Sequence, residues 1–178
     1  METITLNATD ALLLVDVQND FLPGGKLAVA GGDEVIPVLN RYIALFQGAA
    51  LPVFATRDWH PADHCSFSAR GGIWPAHCIA GSEGAAFPAA LQLPACAIVV
   101  SKATTPQADA YSGFQETDLA AQLHGLKSER LFIGGLATDY CVLNTVHDAL
   151  KHGFKAVLLL DAIRAVNLAP DDGKNAIE

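Results

Sequence analysis

Short apolar runs that end in polar residues constrain this chain more than any other feature. ALLLV at Ala11–Val15 ends in Asp16, and PVFAT at Pro52–Thr56 runs into Arg57-Asp58-Trp59-His60. AIVVSK at Ala97–Lys102 ends in a lysine, Arg130–Gly134 ends in a Gly-Gly pair, and Val157–Asp161 ends in an aspartate. None alternates polar with apolar residues, so strands built from them are covered on both faces. Between the runs, apolar residues recur at helical spacing. They do so from Asp33 through Val35, Ile36, Leu39, Ile43 and Phe46, around Thr117–His124, and from Thr138 to His152, where Gly153 follows. Pro37 falls early in the first of these, where a helix tolerates it. Buried strands separated by helices predict an α/β protein, a three-layer α/β/α sandwich around a mostly parallel, doubly wound sheet.

The chain has 178 residues, the usual size of one domain. No linker or repeat divides it, so one domain is expected over residues 1–178. Only 17% of the residues are charged, against about 25% in a typical protein. A net charge of -8 with no basic cluster excludes a nucleic-acid partner and disfavours anionic membrane surfaces. The longest apolar runs fall far short of the ~20 residues that span a bilayer. The segment METITLNATD carries Glu2 and no basic stretch of the secretory kind, and four cysteines in this length make no disulfide framework. A cytoplasmic protein is expected, with a charge low enough to favour a homo-oligomer.

Open α/β sheets bind their ligands beyond the carboxyl ends of the strands. Those ends hold Asp16, Asp58, Lys102 and the Gly134-Gly135 turn before Cys141; the glycine pair lacks the spaced third glycine of a dinucleotide fingerprint. With Thr138 or Asp139 as cap, Cys141 falls in the first helical turn, where unpaired N–H groups favour a thiolate and can receive an oxyanion. The same residue also reads as a buried structural cysteine, and Cys65, Cys78 and Cys96 have no such setting. Asp16 either starts a turn or accepts a proton. Lys102 either snorkels to water or pairs with an anion. Taken together, the three form an Asp–Lys–Cys set in which the acid takes the thiol proton and the ammonium holds the developing charge.

Asp58 and His60 lie two residues apart at a strand end, so extended backbone turns both to one side. His64 and His77 follow in an irregular stretch that runs to about Pro94, longer than compact domains usually allow without function. Two histidines and an aspartate with open positions suit Zn²⁺, Fe²⁺ or Mn²⁺. A closed structural zinc site using Cys65 and Cys78 is the competing version, although HPADHC and HC lack the usual paired-cysteine spacing. His124, His147 and His152 read as ordinary helix residues.

VDVQNDFLPGGKLAV, ATRDWHPADHCSF, IWPAHCIAGSEGAAF, SKATTPQADAYSGF and GLATDYCVLNTVHDAL together resemble the metal-dependent nicotinamidase branch of the isochorismatase-like cysteine hydrolases. The resemblance runs over essentially the whole chain. It implies Asp16, Lys102 and Cys141 as the catalytic set and Asp58, His60 and His77 as ligands of one divalent metal, zinc first among the choices, with His64 a further ligand in some members. It implies Phe21, Trp74 and Tyr111 around the substrate ring, and a cis peptide at Leu136-Ala137. Leu136 then lines the substrate site, and Ala137 with the Cys141 N–H shapes an oxyanion hole. The implied reaction is hydrolysis of nicotinamide to nicotinate and ammonia through a thioester, in NAD salvage, with pyrazinamide a related substrate. A cysteine hydrolase of carbamoyl or ureido amides and a non-catalytic fold-mate are the alternatives. Members usually continue past the equivalent of Asp172–Glu178 through a full helix and one more strand, so Val157–Leu160 is expected at a sheet edge.

Overall fold

The structure, a computed structural model, describes residues 4–178. Five strands form the sheet: β1 Asp10–Val15, β2 Val53–Asp58, β3 Ile98–Lys102, β4 Arg130–Leu136 and β5 Lys155–Arg164. They lie in the order β3-β2-β1-β4-β5, and every neighbouring pair is parallel. The principal helices are α1 Val35–Gly48, α2 Leu119–Gly125 and α3 Leu143–Lys151, followed by a short α4 at Asp172–Asn175. None of the described helices is long and apolar enough to cross a membrane.

The apolar runs are uninterrupted because each strand feeds two cores. In β1, Leu12 and Leu14 join Leu39, Ile43 and Phe46 of α1 on one face. Ala11, Leu13 and Val15 join Leu119 and Leu123 of α2 and Ala149 of α3 on the other. Helices on both faces of a parallel sheet make the expected three-layer sandwich. β5 stands at one edge, as expected, and Leu160 on it is 60% exposed. It runs longer than the Val157–Asp161 run suggested, because a register shift opposite Ile133–Gly135 lets pairing resume at Ile163 and Arg164.

The Thr138–His152 helix is not continuous. Thr138–Val142 form a π turn in which the Val142 N–H donates to the Ala137 carbonyl at 3.0 Å, and regular α-helix starts only at Leu143. Such turns concentrate at functional sites. The irregular stretch after β2 is ordered: Phe67, Trp74, Cys78, Ala85 and Leu91 are all buried, and it holds only a 3-10 turn at Ser68–Arg70 and isolated bridges such as His60 to Ile79.

Candidate active site

The register places chemistry at one edge of the sheet. Asp58 on β2 pairs directly with Lys102 on β3, and Val15 on β1 pairs with Gly135 on β4. Asp16 follows at once, with φ of +49°, a left-handed conformation that aspartate tolerates better than most residues. Gly135 has φ +129°, and a side chain there would collide with the Val15 carbonyl, so only glycine lets β4 approach β1 this closely.

Lys102 does not snorkel. Its ammonium is fully buried and makes ion pairs with Asp16 Oδ2 at 2.9 Å and with Asp58 Oδ1. It also donates to the Ala110 carbonyl at 3.0 Å and lies 3.5 Å from Cys141 Sγ. Burial opposes the charge, but the two carboxylates outweigh it and hold the lysine protonated well above its ordinary range. Asp58 stays ionised: burial pushes its carboxyl up, and Lys102 and His60 more than reverse that. Asp16 goes the other way. Burial and the neighbouring Asp58 charge raise it, against the pull of Lys102 and of the Thr56 hydroxyl, which donates to Asp16 Oδ1 at 2.7 Å.

Cys141 is buried in the π turn, and its sulfur lies within 4.8 Å of carboxylate oxygens of Asp16 and Asp58. The thiolate expected from a helix N-terminus is not what this setting favours. Burial pushes the thiol well above its usual range, both aspartates add to that, and Lys102 alone opposes them. Burial and the two aspartates therefore favour the thiol, and burial raises the neighbouring Asp16 carboxyl as well. The cap position is held by Ala137, which makes no side-chain cap bond, and the Asp139 carboxylate accepts from Val166 and Asn167 instead. The peptide bond between Leu136 and Ala137 is cis, where the resemblance put one.

Asp58, His60 and His77 are buried, and one ligand atom from each lies within 4.8 Å of the others. The His60 Nδ1 lies 3.2 Å from the Ala103 carbonyl and the His77 Nδ1 2.8 Å from the Pro75 carbonyl, so each ring's Nε2 is the nitrogen left for a ligand. Burial holds His77 below its ordinary range and so neutral, the ligating form. Asp58 turns Oδ1 to Lys102 and sets Oδ2 3.7 Å from His60 Nε2. Two buried carboxylates against one ammonium leave the cluster with one negative charge in excess, so a divalent cation fits the donor set in sign and in chemistry. His64 does not join it in this structure. Its two ring nitrogens are taken by the Ser66 hydroxyl at 2.7 Å and the Ala108 carbonyl at 3.1 Å. Among the described residues Cys65 and Cys78 belong to no metal-holding group either, so the closed structural zinc site does not form.

Above these residues opens a small pocket. Phe21, Trp74 and Tyr111 line it, with Cys141, Asp58, His77 and Ala137. The Trp74 Nε1–H donates to the Tyr111 hydroxyl at 3.0 Å, locking the two rings together. Leu136 is a correction. It lies in the core beside Gly32, 1% exposed, because β4 turns its side chain into the α1 layer, and only Ala137 reaches the pocket.

Sequence reasoning missed several supporting groups. Gln18 is buried and clasps Asp58: its Oε1 accepts the Asp58 N–H and its Nε2 donates to the Asp58 carbonyl, both at 2.8 Å. Asp20 Oδ2 accepts the Cys78 N–H at 2.7 Å and so anchors the loop that carries His77. Tyr140 and Val166 also line the pocket. The one available signal was the polar triplet Gln18-Asn19-Asp20 between two apolar segments.

The chain belongs to the isochorismatase family, whose isochorismatase-domain model matches residues 10–178. A nicotinamidase of Escherichia coli is 42% identical to it, over 93% of this chain and 88% of that protein. A solved pyrazinamidase of Pyrococcus horikoshii in complex with zinc superimposes with a TM-score of 0.91 at 48% identity, covering 95% of this chain and 92% of that one. A structure from L. infantum in complex with nicotinate gives a TM-score of 0.90 at 39% identity, covering 98% and 89%.

Proposed function

We propose that this enzyme, an amidohydrolase of a linear amide, is a metal-dependent nicotinamidase that converts nicotinamide to nicotinate and ammonia in NAD salvage and also takes pyrazinamide. The observation that carries the proposal is a pocket lined by Cys141, Asp58, His77 and aromatic side chains, with Lys102 and its partner Asp16 buried against Asp58 and His60 grouped with Asp58 and His77. Relatives named nicotinamidase and pyrazinamidase, one solved with zinc, support it.

Asp16, with a raised proton affinity, accepts the Cys141 proton as sulfur attacks the carboxamide carbon. Lys102 holds the sulfur and Asp16 in place while charge passes between them. The backbone N–H groups of Ala137 and Cys141 are the donors for the oxyanion. Asp16 returns the proton to the departing ammonia, and water then cleaves the thioester. Phe21, Trp74 and Tyr111 fix the ring and exclude water. A divalent ion held by Asp58, His60 and His77, best zinc, with iron or manganese compatible, supplies when bound a Lewis-acid anchor for the pyridine nitrogen.

The deciding experiment is ammonia release from nicotinamide before and after dialysis against a chelator. Turnover is expected to fall by about 10-fold or more on metal removal and to return when zinc is restored; full activity after demonstrated metal loss would overturn the metal role. A second expectation concerns Thr56. Its hydrogen bond to an ionisable carboxyl is worth about 1.5–3 kcal/mol, so Thr56→Val should lower kcat roughly 10-fold with little change in KM. A change in KM alone would place Thr56 outside the proton transfer.

A further inference from the structure

Asp139 sits two residues before Cys141, yet its carboxylate turns away from the helix. Oδ1 accepts the N–H of Val166 at 2.9 Å, and Oδ2 accepts that of Asn167 at 2.8 Å. Both donors lie just past the end of β5. This segment is built by side-chain-to-backbone bonds. Asn167 has φ +53°, and its Oδ1 accepts the Gly173 N–H at 2.8 Å. Asp172 Oδ2 accepts the Ala169 N–H, also at 2.8 Å. A side chain at position 173 would run into Ala165, so the turn closes only on glycine.

The residues from Asn167 to Asp171 are exposed, whereas Val166 is half-buried, packs against the α1-side core and lines the pocket with Tyr140 and Cys141. One carboxylate thus ties a wall of the pocket to the turn that carries the cysteine. Two bonds to one charged group are stronger than two neutral ones, and together they fix the distance between wall and sulfur.

The geometry points to Val166 as a specificity-determining residue that limits the size of the ring admitted, and to Asp139 as the residue that positions it. This rests on the reading of the pocket as the site of an aromatic amide. The substrate class it governs is carboxamides of six-membered nitrogen rings with substituents on the ring carbons.

The test compares nicotinamide with its ring-methylated isomers on the intact enzyme. A methyl group against an apolar wall changes selectivity by about 10-fold or more. Val166→Ala should raise the kcat/KM of at least one methylated isomer relative to nicotinamide by roughly that factor, and Val166→Leu should lower it. Asp139→Asn keeps the side chain's shape but turns an amide NH₂ toward one of the two backbone donors. It should shift the ratio in the same direction as Val166→Ala and raise KM for nicotinamide while kcat stays within about twofold. The amide hydrogens of Val166 and Asn167 should then exchange with solvent about 10-fold faster. Unchanged ratios in both Val166 variants would overturn the specificity role, and unchanged exchange in Asp139→Asn would overturn the clamp. A wild-type enzyme that released no ammonia from nicotinamide would overturn the functional reading instead, and the exchange measurement would still decide the clamp.

Discussion

Cys141→Ala is expected to abolish ammonia release from nicotinamide, lowering kcat by at least ~10⁴-fold. In the proposed reaction no other group can form the thioester. Cys78 is buried, its thiol is pushed up by burial and by the surrounding aspartates, and its sulfur faces the Gly84 carbonyl. Cys65 and Cys96 are not among the pocket's lining residues. The fold should survive, because the substitution removes one buried atom and leaves the Asp16–Lys102–Asp58 ion pairs whole. The melting temperature should therefore move by only about 2–4 °C, the equivalent of roughly 1 kcal/mol at this chain length. Retained turnover in a folded Cys141→Ala protein would remove sulfur from the mechanism. Reactivity gives a second check, with a sign opposite to that of a helix-activated thiolate. Since Cys141 is buried and burial pushes its thiol up, a neutral alkylating reagent near pH 7 should label the exposed Cys96 first. Peptide mapping that found Cys141 labelled first would contradict a thiol raised by burial.

The architecture was legible because burial on both faces writes itself into composition. A strand such as Leu12–Val15 has no polar face to show, and Ile36, Leu39, Ile43 and Phe46 mark the buried stripe of α1. The residues at the strand ends were legible for a similar reason: a carboxylate or ammonium directly after four or five apolar residues is costly unless something pairs with it. What could not be read was direction. Lys102 has the same local sequence whether it snorkels or pairs, and only the β2–β3 register puts it opposite Asp58. Asp139 has the sequence of a cap and acts instead on a segment 27 and 28 residues further along. His64 looks like a ligand until both of its nitrogens are seen to be engaged. In each case the deciding partner lies far along the chain or on the backbone, where side-chain identity carries no signal.

Lys102→Met is expected to cost both activity and stability, and the stability loss carries the more specific prediction. Methionine matches the unbranched stem and fills the same space, so any loss comes mainly from charge. Removing the ammonium leaves Asp16 and Asp58 buried side by side with no cation from the chain itself. Breaking a buried pair in this way typically costs about 3–5 kcal/mol, equivalent to a fall of roughly 10 °C in melting temperature for a chain of this size. The loss should be partly reversible by a second substitution. Asp16→Asn keeps an acceptor for the Thr56 hydroxyl but removes one of the stranded charges. In the Lys102→Met background it should recover about 1–2 kcal/mol, although in the wild-type background it should destabilise. Turnover should remain lost in both variants, because neither restores a cation near Cys141 Sγ. A double variant no more stable than the sum of its single changes would show that Lys102 packs the sheet edge without compensating its acids. Recovery of stability with no recovery of turnover would separate the two tasks of this lysine: it neutralises the carboxylates that face it, and it holds sulfur and base together.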